Sequence, residues 1–138
     1  MSKVKFFEVQ GTQIMVSNKG TEDYICLTDI VRSYKGGADL IDHWLRNKST
    51  IDYLGVWEKY NNPNFNYAVY DSLLNQQYDK NFRLSVKNWV AKTNAIGIHA
   101  KAGKYGSGTY AHHKIALDFC LSLSAEFKYL VYCFCLHF

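Results

Sequence analysis

Between Lys80 and Leu117 the chain places seven basic residues, Lys80, Arg83, Lys87, Lys92, Lys101, Lys104 and Lys114, in 38 positions that contain no acidic residue. The remaining 100 residues hold nine basic and twelve acidic groups. A net charge of only +4 therefore conceals one segment of +7 beside ends that sum to −3. His99, His112 and His113 lie in the same segment, and a polyanion alongside would favour their protonation. Cationic side chains gathered this way neutralise phosphates and release the counterions condensed around a nucleic acid, which is the chemistry the pattern predicts. A solvated basic face without a partner is the plain alternative.

Catalysis and metal binding find less support. Gly103-Lys-Tyr-Gly-Ser-Gly108 is glycine-rich but contains neither G-x-G-x-x-G nor G-x-x-x-x-G-K-[ST], so no nucleotide loop is read there. Asp39, Asp42 and His43 offer acceptors of the kind a two-metal nuclease needs, yet they fall on the polar side of an otherwise ordinary helix. Ser85, Ser107 and Ser124 stand in no recognisable nucleophile motif. Cys133-x-Cys135-x-His137 lacks a fourth ligand at finger spacing and sits in an apolar run. The His112-His113 pair, at the end of a basic hairpin, is read as packing or phosphate-contacting rather than metal-binding. The expectation is a binding protein with no enzymatic activity, no cofactor and no metal.

The rest of the chain supplies a scaffold for that segment. With 48% hydrophobic and 16% aromatic residues, 138 residues suffice for one domain spanning 1–138 with its own core. Lys5 to Val9, Gln13 to Val16 and Tyr24 to Leu27 read as a small antiparallel sheet. Thr28 is expected to cap a helix through Ile30, Val31 and Tyr34, which Gly36-Gly37 stops. Leu40, Ile41, Trp44 and Leu45 mark a second helix, and the pair outlines a helical hairpin of helix-turn-helix type. Ser49 or Thr50 is expected to cap a third, with Ile51, Leu54 and Trp57 on one side. Phe65 to Phe82 reads as irregular, with a polar loop from Asn75 to Asn81. Ser85 caps a helix that turns Val86, Trp89 and Val90 inward and Lys87, Asn88 and Lys92 outward. Residues 96–113 form a glycine-tipped β-hairpin shaped like a wing, and a closing helix starts near Ala111 and restarts at Ser124. All three tryptophans fall on apolar faces and are assigned to the core.

Cys26, Cys120, Cys133 and Cys135 follow no disulfide or Cys-x-x-Cys spacing and are read as reduced thiols of an intracellular protein. The apolar run Tyr129–Phe138 is only half of the roughly 20 residues a membrane helix needs. It reads as a truncated or altered terminus that offers a surface for a homodimer or a protein partner.

Eight strings carry a family resemblance. Tyr24-Ile-Cys-Leu-Thr-Asp-Ile30, Trp44 to Glu58, Asn62-Pro-Asn-Phe-Asn66, Leu84-Ser-Val-Lys-Asn-Trp89, Lys92 to Ile98, Lys101-Ala-Gly-Lys-Tyr105, Gly108-Thr-Tyr-Ala-His112 and Glu126-Phe-Lys128 occur in order and together resemble the KilA-N domain. Departures from the family pattern are Ser107, inserted between Gly106 and Gly108, and Ser122 and Ala125, where the family commonly has Trp and Pro. The resemblance implies a DNA-binding domain of large DNA viruses, phages and bacteria, related in fold to the fungal APSES domain. It implies an α+β fold similar to a winged helix-turn-helix, a role in transcription regulation, and no catalysis.

The residues expected at double-stranded DNA are Arg46, Asn47, Lys48, Lys87, Asn88, Lys92, Asn94, Lys101, Lys104, Tyr105, Tyr110 and His112. The lysines supply phosphate contacts, and Asn88 and Asn94 are the candidates for base readout because an amide can bond adenine bidentately. Arg46 either joins the phosphate contacts or caps the negative end of its helix. A protein-interaction module of antirepressor type is the second reading, resting on the apolar tail.

Overall fold

The strand-forming runs at the start of the chain become β1 (Val4–Val9), β2 (Thr12–Lys19) and β3 (Glu22–Cys26), paired antiparallel in that order. The computed structural model describes residues 4–9, 12–19, 22–32, 34, 36–76, 83–103, 107–126 and 129. After β3 come α1 (Leu27–Val31), α2 (Gly37–Leu45), α3 (Lys48–Asn61), α4 (Tyr67–Gln76) and α5 (Val86–Thr93). β4 (Ile98–Lys101), β5 (Gly108–His112) and α6 (His113–Leu123) follow. The hairpin β4–β5 continues the sheet instead of standing apart from it. β5 pairs antiparallel with β3 through Tyr24↔His112, Ile25↔Ala111 and Cys26↔Tyr110, which gives one five-stranded sheet of order β1-β2-β3-β5-β4. The fold is α+β, as the sequence implied.

Residues opposite one another in paired strands share a face, so the register sorts the sheet's side chains. Ile25, Ile98 and Ala111 face the helices and join the main core with Leu54, Trp57 and Ile115. Tyr24, Cys26 and Tyr110 lie on the other face and form a second, small cluster.

Several local expectations are corrected by what the side chains bond to. Thr28 does not cap α1, which already begins at Leu27; its Oγ1 accepts the Thr109 N–H at 3.0 Å and ties α1 to β5. α1 stops at Val31, leaving Tyr34 outside it and exposed. Gly36 then turns into α2 at φ 81°, a left-handed conformation that glycine adopts without a Cβ clash. α2 buries Ile41, Trp44 and Leu45, and Trp44 Nε1 donates to Asp118 Oδ2 of α6 at 3.0 Å. α3 follows after Arg46 and Asn47 alone, so the tight helical hairpin is α2–α3; the pair read from the sequence, α1 and α2, is joined across Gly36, and its α1 is only five residues long. Its N-cap residue is Asn47, whose side chain makes no capping bond; Ser49 and Thr50 lie inside the first turn.

The stretch read as irregular contains α4. The Tyr70 ring of α4 abuts Gly55 of α3, where any β-carbon would overlap the phenol, so this glycine permits the close approach of the two helices. Ser85 caps α5 as predicted, accepting the Asn88 N–H at 3.1 Å. Trp89 is fully buried, with its ring centroid 5.7 Å from that of Phe65 and 5.9 Å from that of Tyr70. Trp44 and Trp57 are buried as well, so all three tryptophans are core residues.

Cys26 and Cys120 are free thiols. Lys80, Cys133, Cys135 and His137 lie outside the described residues, as does the apolar tail apart from Tyr129, which is exposed. Among the described residues no helix is long and apolar enough to cross a membrane.

Candidate nucleic-acid interface

α5 is amphipathic. Val86, Trp89 and Thr93 are buried, and this turns Lys87, Asn88 and Lys92 to solvent. β4 runs on from α5 after four residues and presents Lys101, exposed, with its Nζ 5.8 Å from the centre of the Tyr110 ring. That cation–π contact steadies the ammonium group without neutralising it. Neither α5, β4 nor β5 contains an acidic residue. Of the basic segment predicted from the sequence, α5 and β4 expose Lys87, Lys92 and Lys101, with Asn88 beside them, and Arg83 and Lys114 are exposed as well. Lys104 and Tyr105, expected at the hairpin tip, lie outside the described residues.

The connector between α5 and β4 is held by hydrogen bonds from α3 and the turn that follows it. Asn94 closes α5 in a left-handed conformation, φ 61°, and its Nδ2 donates to the Asn64 carbonyl at 3.0 Å. Its own carbonyl accepts from Asn62 Nδ2 at 2.9 Å. Asn94 is exposed, and its Nδ2 is engaged with the fold. One layer deeper lies Glu58, 1% exposed. Its Oε1 accepts the Ile96 N–H and Asn62 Nδ2, and its Oε2 accepts the Gly97 N–H, each at 2.8 Å. A methyl group on Gly97 would lie 2.6 Å from Ile115 Cδ1 and 2.8 Å from Glu58 Oε2, so the connector approaches this carboxylate as closely as a glycine allows.

Glu58 was not picked out from the sequence, although a signal existed. It continues the buried stripe of Ile51, Leu54 and Gly55 along α3, and an acid on an apolar stripe is a group with a structural or functional task. Burial raises its pKa above the ordinary carboxylate value of 4.5, against the opposing pull of its three donors. The ionised form is thus less favourable folded than unfolded. Stability is expected to fall as pH rises from 4.5 through the higher folded value and then to level off. Thermal melts between pH 4 and 8 should show that limb, flattened in Glu58→Gln; an identical profile for the two proteins would refute the assignment.

Two residues expected at DNA are instead inside the protein. Tyr110 is 0% exposed, stacked on the His99 ring, and its hydroxyl shares a hydrogen bond with the Cys26 thiol. Burial, chiefly, pushes its phenol up to about 12. His112 is 3% exposed and serves as the N-cap of α6, its Nδ1 accepting the Lys114 N–H at 3.2 Å. Strand alternation sends both side chains to the same face as their partners Cys26 and Tyr24.

His112 Nε2 lies 2.8 Å from Glu22 Oε2, and His113 Nδ1 lies 3.9 Å from the same oxygen. The bond from His112, together with the charges nearby, lowers the Glu22 pKa. These three residues form the one group among those described whose ligand atoms are close enough to share a metal ion. The hydrogen bonds argue otherwise. Because Nδ1 accepts from Lys114, the neutral ring carries its proton on Nε2 and donates it to Glu22. A cation at Nε2 would drive that proton to Nδ1, against an N–H, and would sit at the positive end of α6. The cluster is a latch between β3 and α6.

Arg46 and Asn47 form the turn between α2 and α3 and Lys48 opens α3, all exposed. Arg46 stands at the C-cap position of α2, its backbone N–H donating to the His43 carbonyl at 3.2 Å. Lys48 is paired with Asp52 at 2.9 Å. The length of α3, roughly 20 Å at 1.5 Å per residue, separates this turn from the α5–β4 connector. The structure thus divides the predicted residues into an α5–β4 group, a turn group and a buried pair. Asp39, Asp42 and His43 are exposed on α2, the helix that carries them toward the turn.

Comparison with known proteins follows the same line. The KilA-N domain matches residues 7–136, nearly the whole chain. No curated protein and no solved structure matches it. The chain belongs to the KilA-N domain family, a family of DNA-binding domains.

Proposed function

We propose that this chain binds double-stranded DNA as a regulatory factor through the surface formed by α5 and β4, without catalysing a reaction. The observation that carries the reading is the exposure of Lys87, Lys92 and Lys101 on two consecutive elements that hold no acidic residue. Lysine ammonium groups contact phosphates, and Asn88, exposed between them in the first turn of α5, is the amide available to a base edge. Arg46 and Asn47 form a second basic and polar point roughly 20 Å away, within one turn of duplex at roughly 34 Å.

Fluorescence anisotropy with a random 25-base-pair duplex across a salt series tests the proposal. A log–log slope of roughly −3 to −6 is expected, because each neutralised phosphate contributes about −0.9. Absence of binding at low salt overturns it. Plasmid incubated with the protein and magnesium should remain uncut, with Asp42→Ala as the control for a nuclease.

A further inference from the structure

α5 and β4 can engage one duplex together only if the connector of residues 94–97 holds them at a fixed angle. In an isolated loop those residues would be free to reorient, and ordering them on binding would cost affinity. Here the connector is fixed beforehand. Glu58, on the buried face of α3, accepts the N–H groups of Ile96 and Gly97, two consecutive amides, through its two separate oxygens at 2.8 Å each. Asn62, one turn further along, donates to the same carboxylate and to the Asn94 carbonyl, so the clamp reaches the C-cap residue of α5 and the two residues ahead of β4.

All three donors to Glu58 are neutral, and among the described residues no cation is paired with it. An isolated carboxylate in the core is a costly way to stabilise a fold, since a neutral group of similar shape escapes most of the desolvation. A carboxylate is, however, the one side-chain group whose two oxygens both accept without donating. We infer that Glu58 is a positioning residue for DNA binding: it sets the angle between the lysines of α5 and Lys101 of β4 by clamping the connector from below. This inference rests on the DNA-binding reading above.

Glu58→Gln separates positioning from simple support. The amide has one accepting oxygen and one donating nitrogen, so it must release either Ile96 or Gly97 while removing the buried charge. The expected result is a melting temperature no lower than that of the wild type, a Kd for the 25-base-pair duplex raised about 5- to 20-fold, and an unchanged log–log salt slope, because no phosphate contact is deleted. An unchanged Kd, or a Kd that weakens only together with the melting temperature, overturns the positioning role.

A measurement on the wild type guards against a variant that fails to fold. Ile96 and Gly97 amides should exchange slowly with deuterium in the free protein, and as slowly in the complex. Fast exchange in the free protein with protection only on DNA would mean the clamp is not preformed, and overturns the inference. Lack of DNA binding by the wild type removes both readings, whereas wild-type binding with an indifferent Glu58→Gln removes this one alone.

Discussion

Replacing Lys87, Lys92 and Lys101 together with alanine is expected to weaken duplex binding about 10- to 100-fold near 100 mM salt and to make the log–log salt slope shallower by about two to three units. The three side chains are exposed and lie on elements whose inner faces are already packed, so their removal leaves the core untouched. Surface changes of this kind stay within about 0.5 kcal/mol of wild-type stability each, and the melting temperature should move little. The slope is the more telling readout, because it counts displaced counterions, whereas affinity alone also falls when a protein is partly unfolded. A weakened Kd with the wild-type slope would place the phosphate contacts elsewhere, with Arg46 and Asn47 the next to substitute. Lys101→Ala alone should take about one unit from the slope.

The largest stability effect is expected at Trp89. It is fully buried on α5 directly behind Lys87, Asn88 and Lys92, and its ring packs against Phe65 and Tyr70. Trp89→Ala removes that packing and leaves a cavity, at a cost of about 3–5 kcal/mol, or roughly 10–20 °C in melting temperature for a chain of this size. Trp89 Nε1 is buried with no hydrogen-bond partner, so Trp89→Phe deletes an unsatisfied donor along with part of the ring. The phenylalanine variant should therefore lose much less than the alanine variant. Equal losses in the two would show that a phenyl ring recovers none of the indole's packing. The same comparison bears on DNA binding, because a loosened α5 presents its lysines from a moving base.

How far the sequence revealed this arrangement depends on the range of the interactions involved. Ser85 was legible as a cap because the bond it makes is three residues long, and the amphipathic spacing around Trp44 and Trp89 sorted buried from exposed positions without any knowledge of the fold. α4 was missed because Tyr67, Val69 and Tyr70 favour strands locally, while its packing of Tyr70 on Gly55 is tertiary. Thr28 was misread for a similar reason: its hydroxyl bonds Thr109, 81 residues away, in preference to its own helix. In the candidate site the charge pattern located the lysines correctly on exposed faces. The side of the hairpin that Tyr110 and His112 occupy depends on the pairing of β5 with β3, which no local spacing encodes.

That late pairing also shapes how the molecule is made. β3 emerges early from the ribosome, but its neighbour in the sheet is β5, and the contacts that join them span up to 90 residues, as between Glu22 and His112. Such non-local pairing raises the contact order and slows folding, since a long loop must close before any of its bonds form. Until Gly108–His112 has been synthesised, β3 keeps an open edge of unpaired amides, the kind of template on which nascent chains associate. A chain interrupted ahead of Gly108 would lose one arm of the β4–β5 hairpin and, with it, the strand that seals the sheet.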